Sequence, residues 1–376
     1  MPPTMAGRSP VAGALDASGM PDRLLRCGLW ILTGIAVVLA VKDLLVGYPV
    51  GVDVEIPLRA ARRWLDGGQP YLAASFQAPV GPDLPFLYPP FVLPVIAPLA
   101  RLPAGLVVAA WLAVGVAVAI WTCRRLAIPW PWVPFVLLWP PFLEGLLGGN
   151  VQVILFAAFV GLLFKPPARA GFHPLERVPG EDARPAWVDG LLAVVNGAVK
   201  PSQAHPWILL VRRRPGAALL GLTTLGVTMI LSLALTGPAL WLDWLSQLGR
   251  AADPAWILGG AGLARGLPAG AGLALALGTM VATFFLPRHR AAAWLGILMI
   301  VGSPSLRMFG VLTLLPAMLT VRRELALVAA LCIASYTLVG LWLGVALVSG
   351  ALAAGERWPA WLEPDPVDAP QPQPQR

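Results

Sequence analysis

The sequence predicts an all-α, polytopic transmembrane helical protein, with about 10–12 membrane segments that include short broken helices. Three observations carry this expectation. The chain of 376 residues is 57% hydrophobic and only 12% charged, where a soluble domain carries about 25% charged residues. Apolar runs recur near the ~20 residues needed to cross a bilayer. Those runs are rich in Leu, Ala and Val without strict alternation, which fits helices and not a β-barrel. So little charge cannot cover a water-facing surface. A cytosolic enzyme, a secreted globular domain and a disordered chain are therefore excluded.

Residues 1–26 read as a disordered cytoplasmic tail, rich in Pro, Gly, Ala and Ser. A signal peptide would place its apolar segment sooner. Residues 27–350 are the membrane domain, and its first anchor is 27–46. Residues 47–86 form a polar outer loop. Within it Leu58, Ala61, Trp64 and Leu65 stand at helical spacing, so 56–65 reads as an amphipathic helix lying at the interface. Gly67-Gly68 stops it. Further apolar runs follow at 88–100, 104–123, 132–147, 151–164, 188–211, 217–235, 269–286, 291–301, 308–321 and 325–348. Residues 351–376 are a Pro/Gln-rich disordered tail.

The net charge is +8, and its distribution sets the orientation. Basic clusters stand between apolar runs: Arg124-Arg125, Lys165 with Arg169, Arg212-Arg213-Arg214, Arg288 with Arg290, and Arg322-Arg323. The positive-inside rule places them in the cytoplasm. Asp53, Asn150, Lys200, residues 237–268 and Ser303-Pro304 then fall on the outer (periplasmic or extracellular) face of the cell membrane. The C-terminal tail falls there too. No basic-aromatic face for nucleic acid is visible, and the expected surroundings are membrane lipids. Cys27, Cys123 and Cys332 are too scattered for a disulfide framework or a metal site. With three histidines in the chain, neither a metal nor a cofactor is expected.

Polar residues gathered on one face suggest a site there. Asp53, at the membrane edge, would have its pKa raised and could act as a general base near neutral pH. The alternative is a solvated loop acid that caps the helix or pairs with Arg59. Glu55 would share its side in an extended segment and diverge from it in a helix. Pro85-Phe86-Leu87-Tyr88-Pro89-Pro90-Phe91 is a rigid aromatic corner, suited to lining a groove or to anchoring at the interface. Asn150 can cap the next helix, whereas Gln152 would be costly facing lipid and points to a polar interior. Lys200-Pro201 interrupts an apolar run, and that lysine could bind a phosphate or snorkel to the interface. His205, close by, reads as a packed or pore-facing residue. Arg307, after Ser303-Pro304, could grip two phosphate oxygens. Phosphate-loop, dinucleotide, HExxH and nucleophile-elbow motifs are missing from the chain.

Several pieces in order resemble one family: Ala60-Ala61, Gly67-Gly68-Gln69-Pro70-Tyr71, Leu87-Tyr88-Pro89-Pro90-Phe91 and Ala97-Pro98-Leu99-Ala100. Gly149-Asn150-Val151-Gln152, Asn196-Gly197-Ala198-Val199-Lys200-Pro201 and Ser303-Pro304 with Leu314-Leu315-Pro316-Ala317 follow. Together they look like glycosyltransferase family 87, mannosyltransferase-like enzymes of GT-C architecture. The resemblance implies transfer of a sugar, mannose foremost, from a polyprenyl-phosphate donor to a lipid-linked or cell-envelope glycan acceptor, with inversion. It maps the family's presumed base onto Asp53 and implies no metal. Glu55, Tyr88, Asn150, Gln152, Lys200, His205 and Arg307 are candidates for holding substrate. The sequence departs from the family at Ile56-Pro57, where an aromatic often follows the acid, and at Arg307-Met308, where many members carry a His. The competing reading is a lipid or glycolipid transporter or flippase. It explains the broken helices but not the gathering of polar breaks on one side. A non-catalytic scaffold would leave Asp53 unneeded.

Overall fold

The computed structural model describes residues 22–45, 50–71, 85–165, 184–251, 262–263, 270–287, 290–304 and 306–354. Residues 1–21 and 355–376 of the expected tails lie outside them, as do Arg169 and Arg288. The described residues are helical and contain no strand.

Helix α1, Asp22–Leu45, begins five residues before the expected anchor, so the expected tail 1–26 is helical from Asp22. Helix α2, Val52–Leu65, is longer than the expected 56–65. Its buried Val54, Leu58, Ala60 and Ala61 pack on a second apolar cluster with Tyr71, Phe86 and Leu93. That packing carries the helix through Pro57, which removes one backbone bond without ending it. Asp53 and Glu55 consequently sit in the first helical turn, where the helix dipole favours acids. Gly67 adopts φ 75 just past the end, as the Gly-Gly signal predicts. Helix α3, Val92–Ala100, is short, and Arg62 Nε caps it by donating to Ala100 O at 2.8 Å.

Helix α4 is Ala104–Arg125. The expected run 132–147 is broken at Trp139-Pro140 into α5, Val133–Leu138, and α6, Pro140–Gly148. Then come α7, Gln152–Leu163, and α8, Ala186–Val199. The Lys200-Pro201 break appears as expected: a single 3-10 turn, Pro201–Gln203, leads to α9, His205–Arg213. Helix α10, Pro215–Ala251, kinks at Gly237 but continues. Much of the expected loop 237–268 is therefore helical. Helices α11, Ala271–Phe284, and α12, Ala291–Val301, agree with the sequence. A 3-10 segment, Met308–Leu314, runs into α13, Leu315–Met318.

The expected run 325–348 is a correction. It is two helices, α14, Arg323–Ala334, and α15, Leu338–Ala353. They turn at Ser335–Thr337, where Tyr336 takes φ 55 and the Thr337 side chain accepts from Gly340 N. The chain returns, and Leu352 O accepts from Arg290 at the start of α12. The described C-terminus thus lies beside a basic residue, Arg290 at the start of α12.

The helices have two distinct ends. At one, Arg125 donates to Phe164 O past the end of α7, and Arg212 donates to Phe284 O at the end of α11. There Arg214 and Arg184 pair with Asp189 at the start of α8. At the other end, Gly51 N donates to Leu147 O of α6 and Trp111 Nε1 to Gly149 O. Asn150, Lys200 and the start of α2 are there. Helix α4 and residues Pro215–Gly249 of α10 are long and apolar enough to cross a bilayer, and only 28% and 17% of their apolar windows are buried inside the molecule. Exposed Leu219, Ile230 and Leu235 on α10 are 64%, 70% and 65% accessible. Such a surface suits hydrocarbon and not water: the chain is an all-α membrane protein.

Candidate active site

Two glycines bring the site together. Gly51 precedes α2 at φ 79, and Gly149 follows α6 at φ 68. A Cβ on Gly51 would strike Val108, and one on Gly149 would strike Val54. Both must be glycine for steric reasons as well as for their left-handed backbone. Their close approach sets the start of α2, which carries Asp53, against the turn between α6 and α7, which carries Asn150.

Asn150 Nδ2 donates to Asp53 Oδ2 at 2.7 Å. The opposite atom of the same carboxamide, Oδ1, accepts from Gln152 N at 2.8 Å. Asn150 thus caps the next helix, as the sequence suggested, and also orients the acid. Lys200 Nζ donates to Gln152 Oε1 at 2.9 Å and reaches Asn150 Oδ1 at 3.5 Å. It also stands 5.1 Å from the Phe309 ring centroid. Gln152 is fully buried, and Asn150 is 6% exposed. Asp53 and Lys200 both lie outside the long apolar helices. Burial raises the Asp53 carboxyl above the usual carboxylate range, against the Asn150 bond and the charges of Lys200 and Arg307. Burial pushes the Lys200 amine down to about 8, against the charge of Asp53. Tyr88, in the aromatic corner, has its phenol raised by burial and by Asp53.

The corner itself is tied down. Tyr71 Oη donates to Tyr88 O at 2.8 Å, and Trp244 Nε1 donates to Leu87 O at 3.0 Å. Gln69 Nε2 reaches Asp243 Oδ2 at 2.7 Å. The second part of α10 therefore leans on the outer loop.

The structure brings together Asp53, Asn150, Gln152 and Lys200 by direct bonds, with Arg307 and Tyr88 within electrostatic reach of Asp53. It does not bring in two others. Glu55 pairs with Arg59 one turn on, because two residues of helix rotate it about 200° from Asp53. His205 is fully buried, and its Nε2 shares a hydrogen bond of 3.1 Å with Thr279 Oγ1. That bond ties α9 to α11. Sequence reasoning missed Gln203, whose carboxamide pairs with that of Gln152. The polar Ser202-Gln203 directly after Lys200-Pro201, within an apolar run, was the available signal. It also missed Phe309, which nothing in the sequence distinguishes from a core residue. Chemically, the cluster offers an acid whose Oδ1 is left to take a proton, beside two cations able to face an anion. Groups of three or more His, Cys, Asp or Glu that could hold a metal are not found among the described residues.

Against known proteins, the model of glycosyltransferase family 87 matches residues 86–304, more than half of the chain. The matched stretch holds Tyr88, Asn150, Gln152, Lys200 and Gln203, while Arg307 stands just after it and Asp53 well before its start at residue 86. A curated relative is the polyprenol-phosphate-mannose-dependent alpha-(1-2)-phosphatidylinositol mannoside mannosyltransferase of Mycobacterium tuberculosis (strain ATCC 25618 / H37Rv). It is 27% identical over 269 residues, covering 65% of this chain. The chain spans 58% of that relative's length. No solved structure matches the chain.

Proposed function

The chain belongs to glycosyltransferase family 87, and from that premise we propose that it moves mannose from a polyprenyl-phosphate donor to a lipid-linked or cell-envelope glycan acceptor, with inversion. The relative's name supports the donor and a glycolipid acceptor. Residues 27–350 are the catalytic unit, of GT-C-like architecture. It passes the cell membrane several times, with its site on the outer face and a tail at each end.

The observation that carries the mechanism is the Asp53–Asn150 bond beside Lys200. Asp53 Oδ1 takes the proton of the acceptor hydroxyl as its oxygen attacks the anomeric carbon. The bond from that carbon to the phosphate oxygen breaks, and its electron pair leaves on the polyprenyl phosphate. Lys200 and Arg307 face the departing anion, where fixed positive charge counts most. Asn150 holds the carboxylate so that one oxygen stays open.

The test compares wild type with Asp53→Asn, using radiolabelled polyprenyl-phosphate-mannose and a total lipid acceptor extract. The amide oxygen of the variant can still accept from Asn150, so the geometry survives while the base is lost. Transfer should fall by about 10²- to 10⁴-fold, the usual worth of a positioned general base. Wild-type transfer by the variant would refute the assignment.

A further inference from the structure

We propose that Gln203 is a positioning residue for this transfer: it locks the Gln152 carboxamide so that its oxygen, not its nitrogen, holds the Lys200 ammonium. The inference rests on the reading of Lys200 as a cation that faces the leaving phosphate.

The geometry is specific. Gln203 Nε2 donates to Gln152 Oε1 at 2.9 Å, and Gln152 Nε2 donates back to Gln203 Oε1 at 3.2 Å. Gln152 Oε1 takes Lys200 Nζ at 2.9 Å as well, so both lone pairs of that oxygen are used. Rotating Gln152 would turn an NH₂ onto an ammonium, donor against donor. Gln203 resists that rotation from the other side. Lys200 and Gln203 also bracket the single turn Pro201–Gln203, with Gln203 N donating to Lys200 O at 2.8 Å. Pro201 fixes the backbone between them. The ammonium and its support therefore move as one unit.

Packing alone does not call for such a pair. Gln203 is 6% exposed and Gln152 fully buried, and buried carboxamides are costly unless bonded. Two leucines would fill such a space without that cost. The charged groups facing Lys200 among the described residues are Asp53 on α2 and, beyond it, Arg307, with the Tyr88 phenol beside Asp53. None of these is held by Gln203, so a change at Gln203 reaches them only through Lys200.

The experiment reads Lys200 directly. The chain has three lysines, Lys42, Lys165 and Lys200, so competitive acetylation followed by mass spectrometry resolves each amine across a pH series. Gln203→Leu frees Gln152 to rotate and removes a fixed acceptor from the charged amine. The Lys200 titration should then move down by about one pH unit, as expected for losing part of a charge-assisted bond. Gln203→Glu supplies a carboxylate one amide away, and the titration should move up. Lys42 and Lys165 should keep their wild-type curves in both variants. In the transfer assay Gln203→Leu should be about tenfold slower at pH 7, with its alkaline limb shifted in step with the labelling. A Lys200 titration unchanged in both variants overturns the proposal. If all three curves change in Gln203→Leu, that protein has misfolded, and Gln203→Glu decides alone. The labelling needs no turnover, so it stands or falls apart from the Asp53→Asn test.

Discussion

Asp53 and Lys200 oppose each other's response to burial. Burial alone would keep the acid protonated and the amine neutral, and each charge partly restores the other. The proposed mechanism uses the acid ionised and the amine protonated. Transfer should therefore rise as pH passes the elevated Asp53 pKa and fall as pH passes about 8, where Lys200 loses its proton. The measurement is kcat/KM against pH with the labelled donor. Lys200→Arg should abolish the alkaline limb, since a guanidinium stays charged beyond pH 12. Asn150→Ala removes a bond that favours the ionised acid, so the acid limb should move upward. An alkaline limb that persists near 8 in Lys200→Arg would exclude Lys200 as its source. At this scale the sequence was informative because charge is scarce in a membrane chain. Lys200 was conspicuous within an apolar run, and Asp53 was marked by the resemblance to the family. Gln203 was not, because an uncharged amide costs too little to stand out. Its importance comes from a partner 51 residues away.

Among the elements, the turn between α6 and α7 is where local backbone sets the contact of Asn150 with Asp53. Gly149→Ala puts a Cβ against Val54 in a left-handed conformation. The backbone alone costs about 1–2 kcal/mol, and relief of the clash pushes α2, and with it Asp53, away from Asn150. The expected result is a lowered unfolding temperature in detergent together with a loss of transfer. Gly67→Ala meets no atom within 4 Å at a similar φ, so it serves as the control: comparable strain, with transfer retained. Equal activity in the two variants would remove the turn from the mechanism. Elements marked by Gly or Pro, such as the stops at Gly67 and Lys200-Pro201, were legible because those residues restrict the backbone by themselves. The Ser335–Thr337 turn was not. It is made by hydroxyls bonding Cys332 O and Gly340 N, and these same residue types also occur inside helices. The helix after Gly237 was hidden for the converse reason. A Gly-Pro pair signals an end, but α10 resumes because Leu240, Trp241, Trp244 and Leu248 pack against the outer loop.

At the scale of the whole molecule, the helices run between an arginine end and the end that holds Asp53. Arg125, Arg184, Arg212, Arg213 and Arg214 all cap or pair at the first. The hairpin of α14 and α15 brings the described C-terminus to that end too, since Arg290 bonds Leu352 O. With those arginines in the cytoplasm, as the positive-inside rule expects, the described C-terminus is cytoplasmic too. The donor would then meet Asp53 from the outer leaflet. Cysteine labelling decides this. In a variant with Cys27, Cys123 and Cys332 replaced, a cysteine is placed at exposed Asp66, just past α2, or at exposed Ala354. On intact cells a membrane-impermeant maleimide should label Asp66→Cys and leave Ala354→Cys unreacted until the membrane is opened. Labelling of both from outside would place an even number of crossings between them and return the C-terminus to the outer face. Labelling of Ala354→Cys alone would invert the molecule and put Asp53 in the cytoplasm, where an outer-leaflet donor could not reach it.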